Sequence, residues 1–407
     1  MRDPVYLTMV TDQNNNKYYN MEDNGNGTFT VKYGRIGGNE TTKVYSDSDW
    51  QKIYNSKVKK GYTDVSHLHK KSSTQEYKPL DDKEIKELID NLMAKSRQFT
   101  SQYYDSNLTF TPKMLEEAQN IVDELAKSID KKYPSDNDAL NDFNRLLLKL
   151  WKVLPRKMKK VQDELCYSIN RRITYLNKEQ SLLDNLKVQQ ISQQPKNPDK
   201  TILEELGVSM SKCTDEELEF IKKHLSDISS RYKLKRAWVC RLQSRDGGFE
   251  EYLKNNGLKN NKTNVKFYWH GTRTENVFSI LSSGLQLNPV NAHTTGKMFG
   301  YGIYSAPKAQ KSIGYTSLSG SYWARGGEQI GYMFLNAVIT GNPYHTKDNG
   351  YHHGISINSL TGDKFSSNFA NYHSVYAHAG QQLRNDEIIV YNQNQIASRY
   401  LVELEVR

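Results

Sequence analysis

Over roughly the first 75 residues, apolar and polar positions alternate with a period of two, and turn residues separate the runs. Val5–Val10, Lys17–Met21, Thr28–Tyr33 and Thr41–Tyr45 read as short strands. Asn24-Gly25-Asn26-Gly27 marks one hairpin turn and Gly37-Gly38 another, with a helix expected over Asp47 to Lys60, started by Ser46 or Asp47. From Asp81 to about Ser192 the period becomes 3.6. Ile85, Leu88, Ile89 and Leu92 form one stripe, and Leu115, Ala118, Ile121, Val122 and Leu125 a second. Leu146, Leu147, Leu150, Val153 and Leu154 continue the pattern, and Leu182, Leu183 and Leu186 close it. Asp81 is the expected first N-cap, Pro112 suits a first helical turn, and Gln189–Lys200 reads as an exposed linker. From Thr201 onward strands return at Tyr232–Leu242, Val265–Trp269, Ile330–Val338, Glu387–Tyr391 and Arg399–Val406, with helices at Asp215–Ser226 and Thr274–Ser283. The stretch from Asn342 to Arg384 reads as loop, long enough to suggest function.

A chain of 407 residues calls for two or three domains. Lys and Arg outnumber Asp and Glu by 56 to 46, a balance that favours a polyanionic partner. The three cysteines, Cys166, Cys213 and Cys240, are too scattered for a disulfide framework or a zinc site and fit a reducing compartment. No apolar run is long enough to span a bilayer, and the N-terminus lacks a signal peptide's apolar region, so the expected setting is soluble and intracellular.

Candidate chemistry concentrates in the last third: Tyr268-Trp269-His270-Gly271-Thr272-Arg273, Gly300-Tyr301-Gly302-Ile303-Tyr304-Ser305, Ser312-Ile313-Gly314-Tyr315, and Asn385-Asp386-Glu387-Ile388-Ile389-Val390-Tyr391. One imidazole, several aromatic or hydroxyl positions and one carboxylate thus lie at strand edges. Such a set can clamp a flat ring, hold ribose hydroxyls and stabilise a developing positive charge. Each has a plainer reading alone: a satisfied strand-end histidine, packing tyrosines among 27, a surface carboxylate. Their order and spacing favour the functional reading. Gly300-Tyr301-Gly302 is not a dinucleotide fingerprint, because the strand–GxGxxG–helix context and the later acidic residue are missing.

These four motifs resemble the poly(ADP-ribose) polymerases, the diphtheria-toxin-like branch of the ADP-ribosyltransferases, and the resemblance extends over nearly the whole chain. It implies a multidomain α+β protein. Residues 1–77 would be a small β-rich WGR-like DNA-binding domain, whose signature reads Tyr33-Gly34-Arg35-Ile36-Gly37 with tyrosine in place of tryptophan. Residues 78–192 would be an all-α regulatory bundle, and 193–407 a mixed α/β ADP-ribosyltransferase catalytic domain.

The same resemblance assigns roles. His270, Tyr304 and Glu387 form the catalytic triad. His270 holds a ribose hydroxyl, the Gly271 backbone and Ser312 take the nicotinamide carboxamide, and Tyr304 and Tyr315 sandwich its ring. Thr272, Ser279 and Gln286 complete the NAD-binding set. Asp184 is a regulatory position facing the NAD pocket, and Tyr33, Gly34 and Arg35 are DNA contacts. No cofactor is retained; NAD+ is consumed as substrate. Family members often carry lysine where Tyr301 stands, arginine at Gln286 and glycine at Ser279, departures that bear on NAD affinity.

Basic clusters at Lys57, Lys59 and Lys60, at Lys70 and Lys71, at Arg156, Lys157, Lys159 and Lys160, and at Arg231, Lys233, Lys235 and Arg236 are candidate phosphate contacts or solvated faces. The implied function is a poly(ADP-ribosyl)transferase switched on by broken or nicked DNA, monomeric until it binds DNA, modifying proteins including itself, with no membrane role and nuclear if eukaryotic. The alternatives are mono-ADP-ribosyl transfer on the same scaffold and a catalytically silent DNA-end-binding scaffold.

Overall fold

The period-two region forms five strands, because its alternate residues supply one continuous apolar face. These are β1 (Val5–Val10), β2 (Asn16–Asp23), β3 (Thr28–Arg35), β4 (Glu40–Ser46) and β5 (Thr63–Asp64), ordered β4-β3-β2-β1-β5. The structure is a computed structural model that describes residues 2–68, 77–104, 110–193, 197–287, 298–318, 327–380 and 382–407. The basic pair Lys70 and Lys71 lies outside them. Leu7, Tyr19, Met21, Phe29 and Val31 pack against Trp50 of α1 (Trp50–Lys59). A separate 3-10 turn at Asp47–Asp49 precedes that helix, so the single helix expected from Asp47 is split.

The period-3.6 region supplies α2 (Lys83–Ser101), α3 (Pro112–Asp130), α4 (Asp136–Val153), the single turn α5 (Val161–Glu164) and α6 (Arg172–Gln193). Asp82, not the expected Asp81, caps α2: its Oδ1 accepts the N–H groups of Glu84 (2.8 Å) and Ile85 (3.1 Å). Thr111 caps α3 through the Met114 N–H (3.2 Å), with Pro112 in the first turn where no donor is needed. α6 runs into the expected linker and ends at Gln193, with Val188 and Gln190 buried. The 3.6 period expected to about Ser192 agrees with this end; it is the linker expected from Gln189 that begins too early, on a helix that buries Glu179, Gln180 and Asn185 as well as its leucines.

The chain forms two compact units, Met1–Thr74 with Arg97–Pro195, and Gln75–Ser96 with Lys196–Arg407. In the first, Val10, Val65 and Leu68 share one core with Leu115, Phe143, Trp151 and Leu182, so the strands and helices are packed as one body. The connection after α4 is held from both sides. Thr8 donates to the Lys152 carbonyl (3.0 Å), Asn16 to that of Arg156 (2.9 Å), and Arg35 to those of Met158 (3.0 Å) and Lys159 (2.8 Å). From the same segment the Arg156 side chain turns inward. It meets Glu179 of α6 at 2.7 Å, both side chains 1% exposed, and lies over the Trp151 ring at 4.4 Å.

The second unit adds α7 (Ile202–Glu205), β6 (Val208–Lys212), α8 (Asp215–His224), β7 (Tyr232–Leu242), α9 (Gln243–Asn255), β8 (Val265–Thr272) and α10 (Thr274–Ser283). There follow β9 (Ile303–Ser305), α11 (Ala309–Ile313), β10 (Ile330–Ile339), β11 (Pro343–Thr346), β12 (Tyr351–His352), β13 (Ile355–Ser356), α12 (Gly362–Asn368), β14 (Ser374–Ala377), β15 (Glu387–Val390) and β16 (Ile396–Val406). One sheet is ordered β6-β7-β16-β10-β8 and a second β11-β14-β15-β9. The stretch expected to be loop, 342–384, therefore holds four strands and a helix. They pack through Ile357, Leu360, Phe365, Phe369 and Val375, but each is too short to show a period.

In the cluster around Arg231–Arg236, Lys233 pairs with Glu405 (2.9 Å), and Lys235 and Arg236 with buried Glu403 (3.0 and 2.8 Å), across β7 and β16. Burial pushes the Cys213 and Cys240 thiols up to about 12, and all three cysteines are free. Among the described residues no helix is long and apolar enough to cross a membrane. Replacing Glu179 by Ala leaves the buried Arg156 charge only the longer contact to Glu164 (3.4 Å), a loss of about 3–5 kcal/mol. Hydrogen exchange of the α6 amides in the full chain should accelerate by roughly 100-fold or more. Exchange within threefold of wild type would show the pair to be dispensable.

Candidate functional site

The site is assembled where the two larger sheets of the second unit meet. β8 pairs with β10 along its length, setting His270 opposite Phe334 and Thr272 opposite Tyr332. On the other edge of β8, Trp269 and Ala306 exchange both backbone hydrogen bonds at 2.9 Å, which joins β8 to the end of β9. β9 in turn pairs antiparallel with β15, Tyr304 opposite Ile389 and Ser305 opposite Ile388. His270, Tyr304 and Glu387 thus come from three strands that lie side by side, β8, β9 and β15. Residues 34 and 83 positions apart in the chain become neighbours through two short ladders.

The imidazole of His270 contacts the Tyr304 carbonyl through Nδ1 at 3.1 Å. A carbonyl only accepts, so Nδ1 carries the proton and Nε2 of the neutral ring is left as an acceptor. Burial pushes the His270 pKa down, against the opposing pull of the Tyr304 carbonyl, so the ring is neutral near pH 7. The Tyr304 hydroxyl donates to the Gly300 carbonyl (2.8 Å) and accepts the Phe299 N–H (3.1 Å), which fixes its ring. Burial, with the nearby Glu387 charge, raises the Tyr304 and Tyr315 phenols, and both stay protonated. Tyr315 is half exposed and offers an open aromatic face.

Glu387 begins β15, and its carboxylate is paired with the Lys311 ammonium of α11, the two side chains only 10% and 13% exposed. Sequence reasoning missed Lys311. The available signal was its place directly before Ser312 in Lys311-Ser312-Ile313-Gly314-Tyr315, and the need of a buried carboxylate for a cation.

Gly271 is dictated by packing as well as by any ligand. A Cβ there would lie 1.8 Å from the Ser312 carbonyl oxygen, so only glycine lets α11 close on β8. Gly302 is equally constrained, since its Cβ would lie 2.2 Å from the Ile389 side chain on β15. The Gly300-Tyr301-Gly302 motif is thus a strand-packing device, with Gly300 at φ +81° against Leu360.

The structure brings together His270, Gly271, Tyr304, Ser312, Tyr315 and Glu387. Thr272 ends β8 buried. Ser279 lies half-buried on α10, its carbonyl accepting from the Ser282 and Ser283 hydroxyls, and Gln286 is exposed just beyond; neither takes part in the bonds described above. Asp184 belongs to the first unit, where it accepts from Gln180 (2.8 Å) and faces Lys187 (3.5 Å). Among the described residues no group of three His, Cys, Asp or Glu side chains is placed to hold a metal.

In the first unit, Tyr33 on β3 lies 5.4 Å from the Tyr19 ring, and Lys57 sits over Tyr19 at 3.8 Å. Gly34 passes so close to Asn39 that a Cβ would lie 2.5 Å from its carbonyl. Arg35 is occupied: besides the carbonyls of Met158 and Lys159, it donates to the backbone and side-chain oxygens of Asn14 (3.0 and 2.9 Å). Beside it opens a cleft of about 660 Å³ lined by Arg35, Gly37, Lys157, Lys159 and Lys160, with Asp163 and Glu164. Lys157, Lys159 and Lys160 are exposed, while Arg156 of the same cluster is committed to Glu179.

Comparison with known proteins gives two family matches: the poly(ADP-ribose) polymerase catalytic domain over residues 215–406 and the WGR domain over 4–68. Uncharacterized protein 101L of Invertebrate iridescent virus 6 is 35% identical over 184 residues, 45% of this chain and 76% of that protein. The putative poly [ADP-ribose] polymerase-like protein 100L of the same virus is 28% identical over 189 residues, 46% of this chain and 93% of its own length. Poly [ADP-ribose] polymerase 1 of Oryza sativa subsp. japonica is 28% identical over 212 residues, 46% of this chain and 20% of that protein.

Two outcomes check this geometry. Gly271→Ala should lose about 3 kcal/mol of stability or more, since the new methyl meets backbone that cannot rotate away; a melting temperature within 2 °C of wild type would contradict it. The depressed His270 pKa means that the unfolded chain takes up a proton here before the folded one does. The stability from its neutral burial is therefore complete above about pH 6.5 and lost as pH falls toward the lower folded value. His270→Gln should reduce but not abolish the fall in melting temperature between pH 7.5 and 5, since burial also lowers the His345 and His373 pKa values; an identical acid loss in the variant would assign it elsewhere.

Proposed function

Since the chain belongs to the poly(ADP-ribose) polymerase family and carries a WGR domain, we propose that it is an NAD+-consuming poly(ADP-ribosyl)transferase activated by DNA strand breaks. The observation that carries the reading is the convergence of a neutral His270, a fixed Tyr304 and the lysine-paired Glu387 on three adjoining strands.

In the reaction, the bond between nicotinamide nitrogen and ribose C1′ breaks, an acceptor oxygen bonds to C1′, and the acceptor's proton leaves. Positive charge builds on the ribose in the transition state, and the Glu387 carboxylate is the anion that stabilises it. His270 Nε2, the free acceptor, takes a hydrogen bond from a ribose hydroxyl. Tyr304 and Tyr315 give the departing ring its aromatic flanks, and Ser312 and the Gly271 backbone bind its carboxamide. Lys311 offsets the Glu387 charge before substrate enters.

For DNA, the exposed lysines of the cleft beside Arg35 and Gly37 are the phosphate donors, and Tyr33 on β3 is a stacking surface. Arg35 acts by fixing the 158–159 backbone that carries those lysines. Asp184 on α6 is the regulatory contact of the helical segment, and release of α6 on DNA binding is the switch.

Purified protein incubated with labelled NAD+ should release nicotinamide and give a high-molecular-weight smear on a denaturing gel only when 5′-phosphorylated nicked DNA is added. A single sharp band would mean mono-transfer, and no label with DNA still bound would mean a silent scaffold. Glu387→Gln should cut kcat roughly 100-fold or more and abolish polymer while leaving NAD+ binding near wild type; undiminished long chains would sink its role. Replacing Lys159 and Lys160 by Gln should weaken DNA binding uniformly across sequences and lower the salt slope by about 1 for each lysine replaced. An unchanged slope would place the phosphates elsewhere.

A further inference from the structure

Glu387 does not hold its place through Lys311 alone. The residue before it, Asp386, is tied back onto β14. Its Oδ2 accepts the Tyr376 hydroxyl (2.9 Å) and its Oδ1 the Ala379 N–H (2.7 Å). Ala377 lies opposite Glu387 and Tyr376 opposite Ile388 in the β14–β15 ladder, so both bonds close the return between the strands at the point where Glu387 enters β15. Adjacent residues of an extended chain point to opposite sides, which sends Asp386 toward Tyr376 and Ala379 and Glu387 toward Lys311. Two neighbouring carboxylates thereby avoid each other. Burial alone would raise the Asp386 pKa, but the Ala379 N–H and Tyr376 hydroxyl, with His378 and Lys308, hold it below the usual range.

Tyr376 is itself buttressed. Its ring stacks on His345 of β11 (5.3 Å, 25°) and lies 4.5 Å from His378, and those imidazoles meet at 2.7 Å between Nδ1 and Nε2. His345 faces Tyr376 across the parallel β11–β14 pair, and the His378 N–H bonds to the Thr346 carbonyl (2.8 Å). The phenol that grips Asp386 therefore cannot swing out without breaking this stack.

We propose that Asp386 is a positioning residue for Glu387: by clamping the β14–β15 return onto Tyr376 and Ala379 it fixes the carboxylate at the geometry that transfer requires. The proposal rests on the reading of Glu387 given above. A small misplacement of a reacting group lowers turnover without weakening the substrate's other contacts, so the effect falls on kcat.

Steady-state nicotinamide release by the full chain, in the presence of nicked DNA, tests it. Asp386→Ala should lower kcat roughly 10- to 100-fold with KM for NAD+ within about 2-fold. Asp386→Asn should recover to within about 3-fold of wild type, because the amide oxygen still accepts from Ala379 while its NH₂ donates to a rotated Tyr376 hydroxyl. Tyr376→Phe, which keeps the stack and loses one bond, should fall between them. An Ala variant with wild-type kcat, a proportionate rise in KM, or an Asn variant as poor as Ala would overturn the clamp. Hydrogen exchange of the β15 amides is read in parallel, expected to accelerate in Asp386→Ala while those of β10 and β16 do not change. If wild type releases no nicotinamide, the functional reading fails, and exchange alone then decides whether Asp386 pins the strand; unchanged β15 exchange would refute it.

Discussion

The second unit depends on one short seam. Two sheets that share no strand are joined by the Trp269–Ala306 bridge, and within a residue or two of it lie His270, Tyr304 and, across the β9–β15 ladder, Glu387. β8 and β9 are the edge strands of their sheets, and paired strands fix backbone positions more tightly than a loop does. The seam also explains why side chains are forbidden at two positions. Gly271 lets the Ser312 carbonyl approach β8, and Gly302 lets β9 lie flush on β15. A larger residue at either place would part the layers before it affected any chemistry.

The first unit has its own organising contact, the segment after α4. Its carbonyls are held by Thr8, Asn16 and Arg35 from the strands, while Arg156 reaches the other way to Glu179 on α6. A buried ion pair of this kind is weak evidence for net stability, since desolvation offsets much of the attraction. The guanidinium also reaches Glu164 at 3.4 Å, so two carboxylates share its charge. The strands' hydrogen bonds and the ion pair to α6 thus meet within one segment, residues 152–159.

Much of this was legible in the sequence. Alternation at Val5–Val10 and Thr28–Tyr33 and the stripes at Leu115–Leu125 and Leu146–Leu154 report burial on one face, which is the quantity periodicity measures. Legibility failed where burial is not one-sided. α6 is enclosed on several sides and carries buried glutamate, glutamine and asparagine, so its last turn looked like linker. The strands between 342 and 384 are too short to show a period and are specified by aromatic packing. Charge was the poorest guide. Arg156, Lys235 and Arg236 stand in the sequence as parts of basic runs, yet each is committed to a glutamate brought near only by folding. Lys311 escaped notice for the complementary reason: an isolated lysine says nothing until the fold puts Glu387 beside it.

The bond from His270 to the Tyr304 carbonyl has a consequence for selectivity. With its proton committed to the strand, the neutral ring has only a lone pair left at Nε2. It welcomes a hydroxyl and repels any group that brings only lone pairs of its own, such as a ketone, an ether or a phosphate oxygen. A backbone carbonyl thus sets the hydrogen-bonding character of the ring's far nitrogen without ever touching it.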